Sequence, residues 1–194
     1  IIMALTRLGL NQSINLATNT TGNLNLTSQV TGTLPTGNGG TGATSFAPGK
    51  ILQVLNFENN TTTQTTNSSL QDTALTLNIT PSSTSSKIFI QIQPQLLASS
   101  TSSDEAGLGF GITREIDGAN IATIFETKYS YDGLFVQSFE NGDVIRAYPY
   151  VADLDAPNTT GVCSYKFKIK AYSSTAVLNE GNGKSRMYLF EVAA

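Results

Sequence analysis

From Lys50 onward, apolar residues return at every second position over short runs, and that period decides the fold class. Tyr165, Phe167, Ile169 and Ala171 alternate with Lys166, Lys168 and Lys170, while Ile88, Ile90 and Ile92 oppose Gln91 and Gln93. Successive side chains of a strand point to opposite faces, so each run lays one face on a core and leaves the other to water. A helix would need apolar residues three and four apart, and no convincing stripe of that kind is present. Ile51 to Leu55 forms another such run, and Leu75, Leu77 and Ile79 alternate with Ala74, Thr76 and Asn78. Pro94 ends the run that starts at Lys87, because proline cannot donate to a strand ladder.

Turn chemistry joins these runs. Leu108 to Ile116 and Ala119 to Phe125 are separated by Asp117-Gly118, a pair that accepts the positive φ of a type I′ hairpin turn. Asn141-Gly142 predicts a second turn ahead of a strand from Val144 to Ala152. The closing run, Arg186 to Ala193, is apolar at both parities apart from Glu191, the pattern of a strand covered on both sides. Short strands spaced about ten residues apart predict an all-β, antiparallel β-sandwich, jelly-roll-like, over residues 50–194. A domain of this size buries roughly two-thirds of its unfolded surface, enough for one core without a disulfide.

The residues before this domain read differently. Residues 31–49 mix Pro35 and Pro48 with Gly37, Gly39, Gly40 and Gly42 among Thr, Ser and Asn. Such a stretch buries too little apolar surface to offset its ordering entropy, and is read as a bent joint. Gly37, Gly39 and Gly42 spell GxGxxG, but a dinucleotide turn needs a buried strand before it and a helix start after it. Leu34-Pro35 and Pro48 occupy those places, so a nucleotide site is not expected. Residues 1–30 carry Leu5, Leu8, Leu10, Ile14, Leu16, Leu24 and Leu26, too sparse for a core but suited to grooves on a larger surface. They are read as an extended anchoring arm. No secretory leader is expected, since the opening residues show neither a charged region nor a long apolar run.

Composition narrows the function classes. Charged residues make up 13 % of the chain, about half the usual share. The net charge is −3 with no basic run, which argues against nucleic acid, whose affinity rests on Lys and Arg at phosphates. No stretch approaches the roughly 20 apolar residues of a membrane span. There is no histidine and one cysteine, which removes the usual zinc sites and a Cys-His nucleophile. Cys163, at the parity of Tyr165 and Phe167, is read as a buried core thiol. No cofactor, metal or catalytic residue is assigned.

Two groups of residues are candidates for function. Asp104, Glu105, Glu140, Asp143, Asp153 and Asp155 could pair for glycan cleavage, but each falls in a predicted turn or strand end, where exposed carboxylates are the default. Asp153 and Asp155 also lack the spacing and ligand count of a calcium loop. The aromatics Tyr129, Tyr131, Phe135, Tyr148 and Tyr150 are candidate interface or receptor residues, since a large amphipathic ring suits contact surfaces. Tyr148 and Tyr150 oppose Ile145, Ala147 and Val151 in parity, which places them on an outer face.

The segment TLPTGNGGTGAT at the joint, ILQVLNF directly after it, ITPSSTSSKIFI, DAPNTTGVCSYKFKI and the closing RMYLFEVA together resemble bacteriophage tail-fibre-like virion proteins of the marine phage type. The resemblance runs from about Thr31 to Ala194. It implies a non-enzymatic virion protein and a homotrimer, with the N-terminal part fixed to capsid or tail proteins and the β-domain distal, facing a host surface glycan or protein. The chain lacks the long repetitive shaft of a cell-reaching fibre, so a capsid-decorating protein or head fibre is the alternative. A glycan-cleaving spike is the competing reading from another class.

Overall fold

A computed structural model describes residues 50–100, 105–137 and 142–193. The predicted arm and joint lie outside the described residues, as do Asp104, Glu140 and Asn141. In chain order the strands are β1 (Ile51–Asn59), β2 (Thr63–Thr65), β3 (Gln71–Ile79), β4 (Lys87–Gln93), β5 (Leu96–Ser100), β6 (Glu105–Ile116), β7 (Ala119–Glu126), β8 (Leu134–Gln137), β9 (Val144–Ala147), β10 (Val151–Asp155), β11 (Cys163–Tyr172), β12 (Ser174–Leu178) and β13 (Ser185–Val192). The helical content among the described residues is a short 3₁₀ turn at Glu180–Asn182.

One sheet has the order β1-β13-β4-β10, and a second has β3-β11-β6-β7, with β8 pairing the other half of the β7 side of β6. A third group, β2-β12-β5-β9, continues the second, since β11 passes into β12 through Ser173 at φ +47. All pairings are antiparallel. The expected antiparallel sandwich is the fold of the described residues.

The alternation in the sequence becomes the core. Ile88, Ile90 and Ile92 of β4 join Met187 and Leu189 of β13 from one layer, and Leu108, Ile112, Tyr165, Phe167 and Ile169 from the other, in one buried cluster. Cys163 belongs to the same cluster and is fully buried, as expected of a core thiol. Asp117 and Gly118 both adopt positive φ, +50 and +75, so the β6–β7 hairpin turns as its sequence predicts.

Several expectations need correction. The run from Val144 to Ala152 is two strands in different sheets, broken at Tyr148-Pro149-Tyr150, where proline removes a ladder donor. β13 is not covered on both sides. Met187 and Leu189 are buried, whereas Tyr188 and Phe190 are half-buried and no described element lies over them. Asp153 and Asp155 lie within β10, and Asp155 is buried, not an exposed turn carboxylate. Nor is the lysine face of β11 simply wet, because Lys166, Lys168 and Lys170 pair with Glu115, Asp72 and Glu126, and Lys170 is buried.

Lys170 is covered because the middle of β6 has no side chains on its outer face. Gly107, Gly109 and Gly111 alternate with the inward Leu108, Phe110 and Ile112, and the chain between β7 and β8 lies directly against the first two glycines of this track, while Gly111 meets Leu70 and the Phe125 carbonyl. A Cβ on Gly107 would stand 2.6 Å from Tyr131 Cβ, and one on Gly109 would stand 2.6 Å from Thr127 Oγ1 and 2.8 Å from the Tyr129 carbonyl oxygen. The crossing is fastened where Thr127 N–H donates to the Phe110 carbonyl at 3.0 Å, Phe110 N–H donates to Thr127 Oγ1 at 3.1 Å, and Gly133 N–H donates to the Leu108 carbonyl at 3.0 Å.

Buried polar groups fix the strand ends. Asn179, fully buried at φ +59, donates to the carbonyls of Asn59 and Thr61 and accepts from the Ser185 hydroxyl. Glu191, buried on the inner side of β13, accepts from the Ser82 N–H and hydroxyl and from Gln53 Nε2. Burial alone would raise its carboxyl, but the hydrogen bonds from Ser82 and Gln53 outweigh it and hold the group down to about 2.

Gly109→Ala should lose about 1–3 kcal/mol of stability through overpacking against the crossing segment, read as a lower urea midpoint; an unchanged midpoint would mean the crossing does not rest on the track. For Glu191, a folded value below the unfolded one stabilises the fold at pH above about 4.5, and this contribution disappears as pH falls toward about 2. Glu191→Gln should therefore flatten the stability–pH curve over that window by roughly 3 kcal/mol, measured by urea titrations at a series of pH values.

Candidate binding surfaces

The first candidate surface is the outer face of the β1-β13-β4-β10 sheet. Val54 pairs with Phe190, Phe190 with Phe89, and Phe89 with Leu154, so one apolar row crosses all four strands. Val54 and Leu154, at the two ends, are 53 % and 51 % exposed. Between them the Phe89 and Phe190 rings pack at 5.8 Å between centroids, and Tyr188 stacks on Phe190 at 6.5 Å. The next row, Asn56, Tyr188, Gln91 and Ala152, carries no charge. Charge returns beyond it, where Glu58 accepts from both Lys184 and Arg186. Tyr150 continues the outward parity of Ala152 and Leu154, and it and Tyr148 are exposed as their parity predicts.

The second surface lies on the opposite side of the sandwich, over the glycine track. Tyr129 and Tyr131 stack at 5.2 Å with an interplanar angle of 11°, Tyr131 meets Tyr172 edge-on at 5.0 Å, and Phe135 packs on Tyr131 at 5.3 Å. Lys128 Nζ sits 4.7 Å from the Tyr129 ring centre. Three of the five aromatics expected at a surface, Tyr129, Tyr131 and Phe135, are thus brought together, while Tyr148 and Tyr150 stand apart in the β9–β10 connection.

Sequence reasoning missed Tyr172 and Lys128 here, and Val54, Phe89 and Leu154 on the other face. Parity could have found most of them: Tyr172 shares the lysine side of β11, and Phe89 shares the side of Gln91. The glycine alternation at Gly107, Gly109 and Gly111 marked where a segment could cross.

Two of the candidate carboxylates, Asp155 and Asp153, have other occupations. Asp155 Oδ2 accepts from Arg114 Nη1 at 2.6 Å and from the Tyr165 hydroxyl at 2.6 Å, tying β10 to β6 and β11 across the two layers. Burial, and next the bond to Asp155, push the Tyr165 hydroxyl far up, so it stays a donor. Burial likewise pushes the Cys163 thiol up. Asp153 Oδ1 accepts from the Leu154 N–H at 2.7 Å. Among the described residues no group of three His, Cys, Asp or Glu side chains is placed to hold a metal. An open groove of about 370 Å³ is lined by Gln64, Thr65, Thr66 and Thr175, none of them ionisable.

No protein-family model matches the chain, and no curated protein does. Among solved structures, it is similar to a protein of infectious bursal virus-derived T=1 particles, at 14 % identity and TM-score 0.31 over 73 % of this chain and 36 % of that one. It is also similar to dimeric latent PorU of Porphyromonas gingivalis, at 12 % identity and TM-score 0.32 over 73 % of this chain and 13 % of that one. A third likeness, to the Gt strain of infectious bursal disease virus, has 13 % identity and TM-score 0.28 over 74 % of this chain and 39 % of that one. The chain spans well under half the length of each, and likeness at these scores carries no conclusion about function.

Proposed function

We propose that the chain is a non-enzymatic structural protein of a bacteriophage virion. In this reading it is a homotrimer, a short fibre whose N-terminal arm is anchored on capsid or tail proteins and whose β-domain projects outward toward the host surface. The sequence resemblance from the joint to the closing strand supports the virion setting. The observation that carries the assembly is the uncharged row Val54, Phe190, Phe89 and Leu154, with Tyr188 beside it. Aromatic rings in the middle of an uncharged face, with charges at its margin, suit the centre and rim of a protein interface. Of the carboxylates considered for glycan cleavage, Asp155 is occupied by Arg114 and Tyr165, which favours the non-catalytic reading. The second reading is a decoration protein lying on a capsid, with the exposed apolar row seated on the shell.

Light scattering on the purified full chain tests the assembly. The expected mass is three times that of one chain. Phe190→Asp should give a folded monomer, since the position faces away from the core while a buried carboxylate without a partner costs several kcal/mol at an interface. A monomer mass for the unmodified protein would contradict the proposal.

A further inference from the structure

We infer that the aromatic cluster over the glycine track is a glycan-binding platform, on which Tyr129 and Phe135 take the apolar face of a neutral hexopyranose. These two are the most open rings of the cluster, 45 % and 43 % exposed. They flank Tyr131, which is held between Tyr129, Phe135 and Tyr172 by ring contacts of 5.0–5.3 Å. A pyranose ring presents polarised C–H bonds on one face, and these lie favourably on the negative face of an aromatic ring. Polar groups around such a surface then select among hydroxyl patterns.

The platform is built before any ligand arrives. Tyr129 N–H donates to Asp132 Oδ2 at 2.8 Å, and Asp132 N–H returns to the Tyr129 carbonyl at 3.3 Å, closing a tight turn that carries Tyr129 and Tyr131. That turn is fastened to β6 on both sides, at Thr127 and at Gly133, and sits on Gly107 and Gly109 with no room for a side chain beneath. Lys170 Nζ holds the Thr127 carbonyl at 2.7 Å from below. Rings fixed in this way lose little conformational entropy on binding, which matters for the weak contacts a sugar makes.

Charge decides against the other ligands that stack on aromatic rings. Asp132 and Glu105 stand at the rim, Glu105 holding the Tyr172 hydroxyl and raising it, while the adjacent Glu126 is paired with Lys170. Lys128 is the cation at the rings: its Nζ lies 4.7 Å over Tyr129, which also stacks on Tyr131, so a sugar seats on Tyr129 as this exposed, flexible side chain swings aside. Nucleobases stack as readily as sugars, but their phosphates need a basic groove, which this rim is not. Acidic sugars meet the same objection. A protein partner would need an interface of about 800 Å² on each side, for which the uncharged face on the opposite side of the sandwich is better suited. The two surfaces are separate, so the glycan site and the trimer can fail independently.

Saturation-transfer NMR on the full chain tests the inference, with methyl α-mannopyranoside, lactose, cellotriose and chitotriose as neutral probes, and AMP and a heparin disaccharide as charged ones. Transfer from the protein to ring protons of at least one neutral probe is expected, with millimolar affinity. Tyr129→Ala and Phe135→Ala should each weaken it about tenfold or more at an unchanged melting temperature, and Tyr148→Ala should leave it intact. A variant that melts earlier is replaced by Tyr129→Leu or Phe135→Leu, which keep apolar bulk and remove the ring face. No transfer to any neutral probe, equal transfer in the ring variants, or transfer confined to the charged probes would overturn the assignment.

Discussion

The structure depends on one column of side chains, Ile88, Ile90 and Ile92, all fully buried on β4. β4 is a central strand of its sheet, paired with β13 on one side and β10 on the other. Because the side-chain period is two, placing these isoleucines in the core forces Phe89 and Gln91 onto the opposite face, and the registers of β13 and β10 extend that face outward through Phe190 and Leu154. The core and the exposed apolar row are therefore two consequences of a single register. A slip by one residue would bury Gln91 and expose the isoleucines, so the row cannot be removed by sliding a strand.

The second layer solves a different problem. β6 must pair with β11 along its length and still be crossed by the chain between β7 and β8. Glycine at the alternate outer positions 107 and 109 makes the crossing possible, and the inward Leu108, Phe110 and Ile112 keep the strand tied to the core. The close approach at Gly107 and Gly109 places Tyr131 against Tyr172 and closes Lys170 off from water. Backbone proximity, not side-chain chemistry, thus creates the aromatic cluster.

Strands with one core face were legible in the sequence, since β3, β4, β6, β7 and β11 all show the period of two or a hairpin turn, whereas β13 was misread because Tyr188 and Phe190 make its outer parity apolar as well. β5 and β12 were not legible, because Leu96-Leu97-Ala98 and Ala176-Val177-Leu178 are buried without alternating. A short apolar run has no period to read. The aromatics Tyr129, Tyr131 and Phe135 could be named from sequence, but their association with Tyr172 could not, because it depends on a crossing that brings residues some forty positions apart into contact. Asp155 was misread for a similar reason. Its partners Arg114 and Tyr165 lie on two other strands, and only the sandwich brings them together.

In the proposed assembly the outer face of the β1-β13-β4-β10 sheet is covered by other copies of the chain. Hydroxyl-radical footprinting across a dilution series measures this directly. Phe89, Tyr188 and Phe190 should be protected at high concentration and become reactive as the protein is diluted into monomers, while the fully buried Phe167 stays protected throughout. Equal reactivity of Phe89, Tyr188 and Phe190 at every concentration, at the level of their half-buried exposure in the single chain, would contradict the account.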